Sequence, residues 1–249
     1  MKTNNSTTEL KAMAREELLG KYTTAMGIYF VFTFFLMSVS ILSNYTIDVN
    51  TTYGMIMNYV ISFIISLISS VFSVGICHFY LNIGRTREYH FTDLFYGFKH
   101  HPDKAIIICF LIYIVTLLVF VPSIICYILF ALKHFIIFLL LGTLFLLISI
   151  FILFRYLLLF ALSYYILADF PDLSCREILV KSSELMTGNR LRYIYLQISF
   201  LGFILLGFVS CGIAFLWIYP YMYTTNALFY LDLMGELSNS SPYSNLYES

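Results

Sequence analysis

Charge is what this sequence has least of. Only 11% of its residues are Asp, Glu, Lys or Arg, against about 25% in an ordinary soluble domain. The 14 basic and 14 acidic side chains cancel, so no overall field draws the chain to nucleic acid. Cysteine is sparse too. Of Cys77, Cys109, Cys126, Cys175 and Cys211, all but Cys175 fall in apolar runs and no two are spaced C-x-x-C. That excludes a disulfide framework and predicts buried thiols acting as small hydrophobes. His78, His90, His100, His101 and His134 make no i,i+4 pair and no H-E-x-x-H pattern, so no metal centre is expected. There is no G-x-S-x-G and no Gly-rich phosphate loop. Neither an enzyme nor a cofactor is called for.

Apolar residues fill the space. They make up 60% of the chain, aromatics 19%, and the mean hydropathy is +0.86. A soluble fold leaves roughly a quarter or more of its unfolded surface exposed, which such a composition cannot tolerate in water. A bilayer removes the contradiction. A spanning helix needs about 20 apolar residues at about 1.5 Å each. Charge-free runs of that kind cover 22–43, 53–81, 105–132 and 134–154, the last continued by 156–168 beyond Arg155. The run 193–231 is too long for one span and suits two, with Gly207, Ser210 and Gly212 near the turn. Continuous runs favour helices over the alternating strands of a barrel.

The expected fold is all-α and polytopic: about six transmembrane helices as three hairpins, at 22–43, 53–81, 105–132, 134–168, 193–209 and 213–231. A five-span chain with a break at 217–220 is the alternative. Residues 1–21 form a cytoplasmic amphipathic helix, 22–233 one transmembrane domain, and 234–249 a disordered tail. No cleavable signal is expected, since residues 1–21 are hydrophilic and 22–43 exceeds the length of a signal core.

Orientation follows from Lys and Arg. Lys2, Lys11, Arg15 and Lys21 precede the first span. Arg85, Arg87, Lys99 and Lys104 lie between the second and third, and Arg176, Lys181, Arg190 and Arg192 between the fourth and fifth. Only Lys133 falls on the other side. The N-terminus is predicted to be cytoplasmic.

Each basic segment carries a short helical pattern. Ser6-Thr7-Thr8-Glu9 and Ser174-Cys175-Arg176-Glu177 are capping boxes, each followed by apolar residues at helical spacing. The middle segment, 92–99, is shorter. An acidic residue, Leu, Gly and a cation recur before the first, third and fifth spans. The unit is a surface helix plus a hairpin, used three times.

Few positions could carry function. Arg155 is the one charge well inside an apolar run, and an intramembrane cation costs at least about 2.5–3.5 kcal/mol; snorkelling to the interface is the simpler reading. Asp169 with Asp172 flanks Pro171, where capping and turn chemistry suffice. Gln197 and Asn226 complete the candidates, and transport would need these side chains to share a cavity. Ser62, Ser66 and Ser70 mark a close-packing seam on the second span. Pro122 is expected to kink the third, and Trp217, Tyr219, Tyr221 and Tyr223 to sit in an aromatic belt.

Several stretches together resemble a known family. They are Leu18-Leu19-Gly20-Lys21-Tyr22, Phe79-Tyr80-Leu81-Asn82-Ile83-Gly84-Arg85, Leu94-Phe95-Tyr96-Gly97-Phe98-Lys99, Tyr165-Ile166-Leu167-Ala168-Asp169-Phe170-Pro171, Leu185-Met186-Thr187-Gly188-Asn189-Arg190, and the closing Leu216-Trp217…Pro220-Tyr221…Phe229-Tyr230. They are similar to a bacterial membrane-protein family catalogued as domain of unknown function nine hundred and seventy-five. The resemblance, over about residues 8–233, implies a bacterial plasma membrane and about six spans. A distant likeness to the membrane domain of some glycerophosphodiester phosphodiesterases carries over no catalytic residue. The expected function is a non-enzymatic membrane module whose partners are lipid, another membrane protein or a second copy. A small-solute or lipid transporter or channel subunit is the alternative.

Overall fold

The computed structural model describes residues 5–48 and 50–237. Among them every regular element is helical. In chain order they are α1 (Thr7–Leu18), α2 (Tyr22–Thr46), α3 (Thr52–Gly84), a 3-10 helix (Phe91–Phe95) running into α4 (Tyr96–Lys99), α5 (Pro102–Lys133), α6 (Ile136–Leu159), α7 (Ser163–Asp169), α8 (Cys175–Met186), α9 (Arg190–Ile198), α10 (Leu201–Val209) and α11 (Phe215–Met234).

Five helical stretches are long and apolar enough to cross a membrane: Tyr22–Ser43, Thr52–Gly84, Pro102–Lys133, Ile136–Asp169 and Arg190–Val209. The protein is membrane-embedded. The last helix, α11, has the length, with 20 residues, but is more polar. The reason is position: it packs against α1, α2, α3 and α10, and its second half is buried from Thr224 through Asp232 apart from Asn226. A helix surrounded by protein need not be as greasy as one facing lipid. The break between the last two helices falls at 210–214, with Cys211 at φ 52° and Gly212 at φ 91°. Helix α11 runs through 217–220 without interruption. Likewise α5 continues through Pro122.

The sequence-predicted capping boxes are present. Ser6 and Ser174 each accept from the backbone N–H of Glu9 and Glu177, whose carboxylates return to the cap. Helices α1 and α8 therefore start within a residue of expectation.

The core lies at one end of the bundle, here the basic end. Residues 71–83 of α3, 162–168 around α7 and 224–232 of α11 supply most of it. Each of the three helices contributes a buried tyrosine near its terminus: Tyr80, Tyr165 and Tyr230. The surface elements pack around this trio in ring order. The 3-10 helix and α4 lie on α3, α8 on α7, and α1 closes the ring on α11. Each surface element thus rests on one of the three helices that carry a core tyrosine.

The middle element is the tightest. A Cβ at Gly75 would stand 2.1 Å from the Leu94 carbonyl oxygen, and one at Gly97 2.2 Å from that of Val71. Backbone meets backbone there, which only glycine permits. His78, Tyr96 and His100 stack across the same seam, with ring centroids 3.7 and 4.2 Å apart.

Away from the basic end the helices have little protein around them. Much of α5 and α6 is exposed, including Leu117, Leu118, Leu144, Leu147 and Phe151, as lipid-facing surface must be. The small-residue seam does close α3 on α5: the Cys109 Sγ lies 3.8 Å from the Ser66 carbonyl. The hydroxyls of Ser66, Ser69, Ser70 and Ser73 bond back to their own helix, so the seam is packing and not a polar path.

Two expectations need correction. Tyr219, Tyr221 and Tyr223 are not an interfacial belt. Tyr219 stacks on Tyr29 at 4.5 Å, Tyr223 on Tyr80 at 5.4 Å, and Tyr221 is buried; α11 has turned this face inward, and only Trp217, half-exposed, looks outward. Cys211 is exposed, not buried, because it sits in the turn. The expected tail falls mostly in 238–249, outside the described residues.

Candidate functional site: an ion-paired hub at the basic end

Helix α3 ends at Gly84 with Arg85 as its C-cap. Its guanidinium lies where the last carbonyls of a helix favour a cation. Nη1 and Nη2 donate to Asp169 Oδ1 and Oδ2 at 2.6 and 2.9 Å. Nε and Nη2 donate to Glu236 Oε2 and Oε1 at 2.8 and 2.7 Å. Asp169 ends α7, and Glu236 follows α11 by two residues. One guanidinium therefore joins the ends of three helices that are far apart in sequence.

The planar fork of arginine suits two carboxylates at once, as the ammonium of lysine does not. The Glu236 and Asp169 partners hold the Arg85 proton far above the ordinary value, against desolvation that works the other way. Asp169 also accepts from the Tyr230 hydroxyl at 3.0 Å. With three donors on it, this carboxylate is occupied, and a proton relay or cation site there would have to break the clasp first.

A second ionic joint lies beside it. Asp232, 6% exposed, accepts from Asn5 Nδ2 at 2.7 Å and from the Arg192 guanidinium. Arg192 also donates to the Asn5 carbonyl. This fastens the start of α1 and the start of α9 to the end of α11. Asn82, two residues past Tyr80 as Asp232 is two past Tyr230, donates to Asp93 at 3.4 Å. The same register position thus holds the neighbouring surface element in two of the three units; the third has Leu167 there. Lys11 adds a bond to the Ser199 carbonyl at 3.0 Å and lies over the Phe200 ring at 4.2 Å; burial, then Arg15, lowers its ammonium pKa.

The four sequence candidates go to three places. Asp169 is in the hub. Gln197 donates to Asn226 at 2.8 Å, an interhelical tie between α9 and α11. Arg155 is exposed on α6, with no ion pair or hydrogen bond among the described residues. Among the described residues these three places share no hydrogen bond or ion pair. Asp172 is exposed, and no group of three or more metal-ligating side chains occurs among the described residues.

Sequence reasoning missed Arg85, Tyr230, Asp232 and Arg192. Asp232 carries no signal in the sequence beyond closing the last apolar run, and Arg85 reads only as one positive charge among four. Its signal was a cation directly following an apolar run at Gly84-Arg85.

Residues 1–236 match the family described as protein of unknown function (DUF975). The chain belongs to that family. No curated protein and no solved structure matches the chain.

The match reaches to Glu236, so it takes in both partners of Arg85, Asp169 and Glu236, and the Tyr230 that donates to Asp169. In chemical terms the hub clamps helices, because the Arg85 guanidinium and the Asp169 carboxylate are already engaged with each other and with Glu236 and Tyr230.

Proposed function

We propose that this protein is a non-enzymatic module of a bacterial plasma membrane that works by presenting surfaces to lipid, to a partner membrane protein or to a second copy. In this reading it crosses the membrane six times with both ends in the cytoplasm. The observation that carries it is the dispersal of Arg155, Asp169 and the Gln197–Asn226 pair to separate places. A transport pathway needs polar groups facing one another at bilayer depth, and these are either paired for structure or turned outward. The gathering of the basic segments around one ring of surface helices supports the orientation, through the excess of Lys and Arg on the cytoplasmic side. The bacterial setting rests on the family resemblance.

Reconstitution in liposomes tests the reading against transport. Liposomes carrying the protein are expected to leak no faster than empty ones to a panel of ions and small solutes, while pull-down from membranes followed by mass spectrometry retains a defined partner or the chain itself. Solute flux that vanishes with an Asn226→Ala change would overturn it. For topology, a periplasm-type reporter fused after Ser249 stays silent if both ends are cytoplasmic, and its activity would sink the six-span arrangement.

A further inference from the structure

A groove of about 510 Å³ opens between α5, α6 and α8 at the basic end. Its lining is mostly apolar: Leu111 from α5, Leu159 and Phe160 at the end of α6, Leu179 and Val180 from α8. Its mouth carries Arg176 and Ser183. The groove is preformed, because the Ser182 hydroxyl donates to the Leu159 carbonyl at 2.8 Å and fixes α8 against α6.

One cation, Arg176, lines this groove and a second, Arg155, lies one helical turn from its Leu159; neither forms an ion pair among the described residues. Arg176 is exposed at the mouth, without an ion pair or hydrogen bond among the described residues. Arg155 precedes Leu159 by four residues, so it lies on the same side of α6, about 6 Å deeper along the helix. Arg176 and Val180 also border the next depression, where the α8 carboxylates lie, but neither carboxylate forms an ion pair with Arg176. Glu177 closes the capping box with Ser174, and Glu177 and Glu184 line the next depression with Lys181. An apolar lining continuous with lipid-exposed α5 and α6, with one guanidinium at its edge and a second one turn away along α6, suits one ligand: acyl chains joined to a negative headgroup.

We infer that this groove seats one anionic phospholipid, its chains against Leu111, Leu159 and Val180 and its phosphate drawn to Arg176 and to Arg155 reaching up from below. The inference rests on the proposed reading of the protein as a lipid-contacting module, and names the lipid class and the site. It also accounts for the unpaired charge in the fourth apolar run, since the bilayer supplies the counter-ion that the protein does not.

Native mass spectrometry of the full chain in detergent tests it, with phosphatidylglycerol against phosphatidylcholine of identical chains. The wild type is expected to hold one phosphatidylglycerol in clear preference. Arg155→Gln and Arg176→Gln should each weaken that preference about fivefold, and the double variant should abolish it. Lys99→Gln, a cation away from the groove, should leave it unchanged. A double variant that keeps the preference, or a wild type that shows none, overturns the site. Should the double variant aggregate, a photoreactive phosphatidylglycerol added to the unmodified chain decides: adducts within residues 155–183 support the groove, and adducts only elsewhere refute it. Lost lipid preference without solute flux would sink this site alone, whereas flux in liposomes would sink the module reading and leave the adduct data standing.

Discussion

Arg85 and Asp169 stand 84 residues apart and meet through two parallel bonds of 2.6 and 2.9 Å. Their side chains are 11% and 12% exposed, so the pair is largely withdrawn from water, and each charge depends on the other. Glu236, 40% exposed, contributes to the same guanidinium from a wetter position. Removal of the arginine would leave Asp169 buried with only Tyr230 to bond.

Arg85→Gln is therefore expected to destabilise the fold by about 3 kcal/mol, and Glu236→Gln by less than about 1 kcal/mol. Arg85→Lys should fall between them, since an ammonium cannot serve both carboxylates in the same geometry. Thermal unfolding in detergent, read as loss of monodisperse protein, ranks the three. Equal effects of the first two would show that the clasp does not depend on burial.

Gly75→Ala and Gly97→Ala push a Cβ into a carbonyl oxygen at 2.1 and 2.2 Å. Backbone cannot yield as a side-chain tip can, and each should cost about 1–3 kcal/mol. Gly202→Ala meets nothing within 4 Å and serves as the matched control, with an expected change near zero or slightly stabilising. The same unfolding assay reads all three.

Asp232→Asn removes the charge that holds Arg192 and weakens the hold on Asn5. The start of α1 should then loosen while α3 and α7 keep their packing. Limited trypsin digestion should cut after Lys11 or Arg15 several times faster than in the wild type. An unchanged rate would mean that Leu10, Ala14 and Leu18, all buried, hold α1 by themselves.

The α8 capping box should respond to acid. Ser174 donates to Glu177 through both its hydroxyl and its backbone N–H, which holds the Glu177 carboxyl below its ordinary value of 4.5. A depressed folded-state value means that the stabilisation is full above 4.5 and is lost as pH falls through the lowered value. Hydrogen exchange of residues 175–186, corrected for intrinsic rates, should show steady protection from neutral pH to about 5 and a decline below 4.5. Glu177→Gln should flatten that decline.

Local rules in the sequence located the helices well. The capping boxes at Ser6 and Ser174 are short-range chemistry, and the turn at 210–214 follows from Gly207, Ser210 and Gly212 in an over-long apolar run. What local rules could not give is which neighbour a residue meets. Tyr219 and Tyr223 have the composition of an interfacial belt and the position of a core, because α11 sits inside the bundle. Asp232 looked like an ordinary helix end until Asn5 and Arg192 were brought to it. Gly75 gave no sign of its role, since a glycine in an apolar helix reads the same whether lipid or the Leu94 carbonyl lies against it. Arg155 was singled out for being alone, and it is alone among the described protein groups.

Helix α1 leaves the ribosome before α11, yet its seat is on α11. Until the final hairpin has inserted, the buried face of Leu10, Ala14 and Leu18 has nowhere to dock, and Asp232 is not there to receive Asn5 and Arg192. The assembly can lock only after translation has passed Glu236. A nascent chain halted earlier is an unlatched bundle with a free greasy arm, ready for a chaperone, the membrane surface or a protease.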